Sequence, residues 1–317
     1  MLPPHPLSLL RAPDKVCSIN IMIKIIAGIG LIGLIALGLW LRFARRPQRL
    51  DHLDRLWGSS AGRRIAADIA YGDHRRQRLD FYAPKAADAA QGSAPKPLLI
   101  FFYGGSWNSG DKCDYAFAAK AYAERGFIVA LPDYRLVPEI RFPVFLEDAA
   151  SAVAKARAEA QIYGADPDHI LLAGHSAGAH IALMLALDPQ WLERAGVPAE
   201  AIKGVVALSA PADFHPFTMP AAIAAMGHVE PPDLTQPVRF ARAAAPPLWV
   251  ATGTNDTLVH ARNSRAMVAA QQAVGGTATL REYERLNHVE PLMAIARTFR
   301  KKAPVLDESV AFLKGLA

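Results

Sequence analysis

Cysteine is almost missing from this chain of 317 residues: only Cys17 and Cys113 occur, one on each side of an apolar segment. Two thiols so far apart build neither a disulfide framework nor a zinc site, whose ligands come at short, repeated spacings. There is no internal repeat, and low complexity is confined to one alanine-rich turn, which excludes a repeat array. Excess charge is also missing from the body of the chain. The formal +6 and the isoelectric point near 9.4 arise entirely within residues 1–50, where seven basic side chains face Asp14 alone. The remaining 28 basic residues balance 28 acidic ones. A neutral body offers no basic groove for phosphates, and no zinc-finger, helix-turn-helix or RNA-binding signature occurs. Nucleic-acid partners are therefore excluded, and no cofactor or metal is expected.

A chain this long and 52% hydrophobic has enough apolar surface for one large core, which fits a single α/β domain with an N-terminal appendage. Residues 25–41, "IIAGIGLIGLIALGLWL", carry no charge and are bordered by Lys24 and Arg42. With their apolar neighbours they approach the roughly 20 residues that span a hydrocarbon core. Residues 1–20 read as a tail, 21–43 as a transmembrane anchor in contact with membrane lipid, and 44–64 as a polar linker. The larger arginine cluster follows the segment, so the positive-inside rule places the remaining domain on the cytoplasmic side. The rivals are a signal peptide, opposed by arginines where a small-residue cleavage site belongs, and a buried helix.

From residue 65 to 317 the pattern alternates. "IAADIAYG" and "QRLDFYAP" predict a hairpin. The apolar runs "PLLIFFY", "FIVALPDY", "HILLAGH", "GVVALSA" and "LWVATG" predict buried strands, and "TATLREYE" predicts a last one. Helical stretches separate them, as in "PVFLEDAASAVAKARAEAQIYG" and "ARNSRAMVAAQQAVG". Such alternation predicts a doubly wound, mostly parallel α/β sheet covered by helices on both faces. Residues 213–246 are Pro-rich and long for a connection, as substrate loops and lids are. Phe214, Phe217, Met219 and Met226 are candidates to line an acyl pocket there.

The chemistry centres on "LLAGHSAGAH", where a strand runs into Gly174-His175-Ser176-Ala177-Gly178 and then into a helix. This is the G-x-S-x-G nucleophile elbow in a strand–turn–helix setting: the glycines permit the sharp turn and the serine hydroxyl stands at a helix N-terminus. Serine needs a base to take its proton and an acid to orient that base, in the chain order Ser, acid, His. His260 lies too near Asp256 to sit on a separate loop, which leaves His288 as the base. Asp256 follows the strand "LWVATG" and is the candidate acid; Asp213, at the end of the preceding strand, is the runner-up and Glu290 a third. Oxyanion donors come from the residue after the nucleophile, Ala177, and from a glycine loop after an earlier strand, where "FFYGGSWNSGDK" places Gly104 and Gly105.

Taken together, "YGGSWNSGDK", "PDYRLVPEIRFPVFLEDAASAV", "GHSAGAH", "GTNDTLV" and "LNH" resemble the carboxylesterase branch of the α/β-hydrolase superfamily (fold-3 type), in particular its hormone-sensitive-lipase-like and feruloyl/acetylxylan-esterase-like members. The likeness covers residues 65–315. It implies Ser176, Asp256 and His288 as a triad, Gly104, Gly105 and Ala177 as the oxyanion hole, and a small-molecule ester as substrate. Two positions depart from the family: Tyr103 stands for its histidine and Ser106 for its third glycine. Asp133, Arg135, Glu147 and Asp148 are expected to make structural contacts. The expected activity is ester hydrolysis through an acyl-enzyme; the alternatives are a formamidase or amidase of the same fold, or a silent hydrolase fold that binds at a membrane.

Overall fold

The structure, a computed structural model, describes residues 62–85 and 94–316. The expected tail, anchor and all but the end of the linker lie outside the described residues. Among the described residues no helix is long and apolar enough to cross a membrane.

β1 (Gly62–Ala70) and β2 (Arg78–Pro84) pair antiparallel as a hairpin. Next come β3 (Lys96–Phe102), α1 (Ala116–Glu124), β4 (Ile128–Pro132), α2 (Val144–Glu159), β5 (Ala165–His175) and α3 (Ala177–Leu187). A short α4 (Gln190–Arg194), β6 (Ile202–Leu208), α5 (Pro220–Met226), β7 (Leu248–Gly253) and α6 (Arg262–Ala273) follow. β8 (Ala278–Tyr283), α7 (Glu290–Met293) and α8 (Val305–Lys314) complete the described chain. The strands form one sheet in the order β1-β2-β4-β3-β5-β6-β7-β8, parallel from β4 onward and antiparallel where β2 meets β1 and β4.

Every residue of β4 and β7 is buried, as is the run Leu98–Phe102 of β3. Because successive side chains point to opposite faces, unbroken burial means both faces of the centre are covered. Each fully buried Leu or Phe in these runs contributes about 1.5–3 kcal/mol relative to exposure. α3 is buried along its whole length, which suits its uniformly apolar sequence.

β1 begins at Gly62, three residues before the expected boundary. Arg63 and Arg64 read as linker, but on an edge strand they face water and weaken edge-to-edge pairing. Arg64 also meets the buried Asp80 carboxylate at 3.1 Å. The same carboxylate accepts the Lys112 amine at 2.7 Å, and Lys112 reaches Asp68 at 2.8 Å. The lysine of "SGDK" thus ties the loop after β3 to the hairpin.

The Pro-rich stretch is anchored. The Gln236 side-chain oxygen accepts the N–H groups of Phe214 and His215 at 2.8 and 3.2 Å. Phe142 N–H donates to Ala225 O at 3.0 Å, and the buried His180 ring of α3 donates to Thr235 O at 2.9 Å. Burial holds that ring neutral, its pKa pushed down to about 4.

Candidate active site

β5 enters the elbow at its centre and α3 leaves it, so Ser176 stands where strand becomes helix. Its backbone has φ 54° and ψ −122°, a left-handed conformation that costs a non-glycine residue roughly 1–3 kcal/mol and persists only where the surroundings impose it. Both motif glycines are forced by crowding: a Cβ on Gly178 would lie 2.1 Å from the Phe102 carbonyl oxygen, and one on Gly174 would lie 2.4 Å from the Gly178 oxygen. The turn is held by Ser176 N–H donating to Leu208 O at 2.9 Å, which couples the elbow to the end of β6.

The structure brings Ser176, His288 and Asp256 into one line. His288 Nε2 lies 2.9 Å from Ser176 Oγ, and His288 Nδ1 lies 2.8 Å from Asp256 Oδ2. The three residues are 7%, 8% and 3% exposed, so the line is shielded from water at its carboxylate end. Asp256 Oδ1 accepts the N–H groups of Leu258 and Val259 at 3.0 and 2.8 Å, which fixes the carboxylate by both oxygens. The other candidate acids lie elsewhere. Asp213 is held through its N–H, which donates to Asn263 Oδ1 at 2.9 Å. Glu290 accepts Asn287 N–H and the Lys302 amine, at 2.9 and 2.7 Å.

The glycine loop lies directly on the elbow: a Cβ on Gly104 would come within 2.8 Å of the His175 carbonyl oxygen and 3.1 Å of Ser176 Cβ. Gly105 has φ 139°, and a Cβ there would sit 2.1 Å from Ser109 O, so only glycine fits. Its carbonyl accepts Asn108 N–H, Ser109 N–H and the Ser109 hydroxyl, at 3.1, 3.0 and 2.9 Å. Ala177 is the first residue of α3, where N–H groups have no partner within the helix.

Beside Ser176 opens a cavity of about 190 Å³. Its apolar lining includes Trp107, Phe214, Phe217 and Met219, and Leu258, Val259, His260 and Arg262 line it as well. Of the four apolar candidates from the sequence, three line this cavity; Met226 is instead fully buried in α5. Trp107 stacks against Phe214 with ring centroids 6.1 Å apart. Among the described residues no cluster of three or more His, Cys, Asp or Glu side chains could hold a metal ion.

Three residues at the site had no role assigned from the sequence. Ser106 and Trp107 adopt positive φ, 52° and 60°, and both line the cavity. His175, the variable residue of the elbow, donates from Nε2 to the His288 carbonyl at 3.0 Å and so holds the histidine loop against the serine. Burial first, and then the nearby His288 ring, push the His175 pKa down to about 3, which keeps a second cation away from His288. Of the polar residues given structural roles, Arg135 clamps Asp148 with contacts of 2.7–3.2 Å, and Asp133 accepts Lys112 N–H at 2.9 Å.

The BD-FAE family model matches residues 79–270. The chain is 32% identical over 274 residues to Esterase LipQ of Mycobacterium tuberculosis, covering 80% of this chain and 64% of that one. It is 37% identical over 134 residues to the probable isoprenylcysteine alpha-carbonyl methylesterase ICME of Oryza sativa, covering 42% and 31%. This chain thus spans less than two thirds of the length of these curated relatives. Among solved structures, Esterase B from Lactobacillus rhamnosis, inhibited by a tributyrin phosphonate, matches with a TM-score of 0.73 at 20% identity over 90% of this chain and 96% of that one. At that identity the likeness speaks to the fold.

Proposed function

Because the chain belongs to the BD-FAE family, we propose that it is a serine carboxylesterase that hydrolyses small esters through an acyl-enzyme. The observation that carries this reading is the hydrogen-bonded line Ser176–His288–Asp256 at the elbow. Nδ1–H donates to the carboxylate, so Nε2 is the ring's lone-pair nitrogen and faces the serine hydroxyl as general base. The serine oxygen attacks the ester carbonyl as its proton moves to His288; the same proton then goes to the leaving alcohol, and water repeats the sequence on the acyl-enzyme. The developing oxyanion meets the N–H groups of the glycine loop and of Ala177. That known relatives are named esterases favours the ester over the formamide reading.

The cavity of about 190 Å³ is below the roughly 300–1,000 Å³ of sites for drug-sized ligands. An apolar wall in so small a space favours short acyl groups. Labelling with a fluorophosphonate and a series of p-nitrophenyl esters from acetate to decanoate test the reading together. The expected result is one label per chain, on Ser176, with kcat/KM highest at two to six acyl carbons. A preference for the longest chains would overturn the pocket assignment, and absence of both labelling and turnover would overturn the function.

The N-terminal anchor is part of the same proposal: residues 21–43 hold the enzyme on a membrane with the catalytic domain on the cytoplasmic side. Support comes from the uncharged run 25–41 and from the basic residues that follow it. Fractionation with mass determination of the N-terminus decides it. A carbonate-resistant membrane pool with the segment intact is expected, and a soluble protein beginning beyond residue 43 rules the anchor out.

A further inference from the structure

Arg76, in the turn joining β1 to β2, belongs to none of the catalytic motifs, yet its guanidinium ends inside the glycine loop. One terminal nitrogen donates to the Tyr103 hydroxyl at 2.6 Å and to the Gly110 carbonyl at 2.7 Å, and lies 3.4 Å from Asp133 Oδ1. Nε donates to the Tyr134 carbonyl at 2.9 Å. The side chain is 16% exposed, so these bonds form largely away from water. Tyr103 immediately precedes Gly104, and Gly110 closes the same loop. The Tyr103 ring stacks on Tyr134 with centroids 4.7 Å apart, and its carbonyl accepts the Tyr134 hydroxyl at 2.9 Å. A Cβ on Gly110 would lie 2.8 Å from both Gly104 O and the Tyr103 ring, so the two ends of the loop pack against each other. One planar cation therefore joins the start of the loop, its end and the terminus of β4. Lysine offers only a point charge and lacks the fork to bridge these acceptors together.

We infer that Arg76 is the positioning residue of the glycine loop: by joining Tyr103 and Gly110 to one guanidinium it holds the Gly104 and Gly105 backbone at the distance from Ser176 that oxyanion stabilisation requires. The tyrosine at 103 has its function as the acceptor for this arginine. The kinetic consequence rests on the esterase reading above, whereas the ordering of the loop does not.

Arg76→Met and Arg76→Lys in the full chain test it through three readouts: hydrogen exchange of the amides of residues 104–110, the fraction of sites titrated by a fluorophosphonate, and kcat and KM for p-nitrophenyl butyrate per titrated site. Displacing an oxyanion donor by a fraction of an ångström to 1 Å is expected to lower kcat per site about 10- to 100-fold in Arg76→Met, with KM within about threefold. Loop amides should exchange faster while those of β5 keep their wild-type rates, and Arg76→Lys should recover part of kcat. If the loss appears only as fewer titrated sites, with kcat per site and loop exchange as in wild type, the proposal is overturned and Arg76 acts on stability alone. Should Arg76→Met fail to fold, Tyr103→Phe removes only the hydroxyl that Arg76 holds. A several-fold lower kcat with faster loop exchange then supports the proposal, and wild-type values for both overturn it. Exchange involves no ester, so a wild type inert toward esters would sink the esterase reading while the exchange result still judged Arg76.

Discussion

Ser176→Ala should abolish turnover of a short p-nitrophenyl ester, lowering kcat by about 10⁴-fold or more while the variant folds normally. The hydroxyl is the atom that His288 Nε2 meets at 2.9 Å, so its removal takes away the nucleophile and leaves the rest of the site in place. Folding should survive for a local reason. Alanine adds no atoms to a position that is 7% exposed, and the elbow is held by backbone bonds, with Ser176 N–H on Leu208 O and His180 N–H on Ser176 O. The φ of 54° strains alanine about as much as serine. What activity persists comes from the oxyanion donors and from binding, which in triad enzymes retain a small rate over water. Steady-state kinetics beside a thermal melt and circular dichroism check the prediction. A folded variant with near-wild-type turnover would remove serine nucleophilic catalysis from consideration.

Much of this architecture was legible in the sequence, for reasons that differ from element to element. β3, β4 and β7 announce themselves because strands buried on both faces are continuous apolar runs, and the observed bounds fall within a residue or two of those runs. α4, α5 and α7 have five, seven and four residues and escaped notice, since a helix of one or two turns shows too little of a 3.6-residue period. β1 was read short because its arginines look like linker until an edge position explains them. Ser176 and His288 were legible because the elbow and the chain order constrain them. Asp256 was preferred as the acid with Asp213 as the runner-up, because both follow neighbouring parallel strands and spacing alone does not say which loop bends toward the histidine. His175 and Arg76 were out of reach for a further reason. His175 acts on a carbonyl 113 positions away, and Arg76 on a hydroxyl 27 positions away, so nothing local to either residue records its role.

The choice between those acids yields the second large effect: Asp256→Asn is expected to lower kcat by about 10⁴, and Asp213→Asn by far less. The reason lies in how the Asp256 carboxylate is held. Oδ1 accepts two backbone N–H groups, from Leu258 and Val259, and Oδ2 faces His288 Nδ1. In an asparagine the amide oxygen must stay with the two backbone donors, because turning the amide would aim its NH₂ at both of them and leave buried donors unpaired. The NH₂ is then fixed toward Nδ1. An N–H there cannot face it, so the ring keeps its proton on Nε2 and presents Nδ1 as acceptor. Nε2–H points at the Ser176 hydroxyl and can no longer take its proton, although every heavy atom remains near its original place. The loss should therefore fall on kcat, with KM little changed and the fold intact. Asp213 has no such relation to the histidine: its structural tie is the N–H it donates to Asn263, which Asn at 213 preserves. Kinetics of the two variants at fixed pH decide between them. If Asp213→Asn proved the more damaging, the hydrogen-bonded line through Asp256 would not be the one that orients the base.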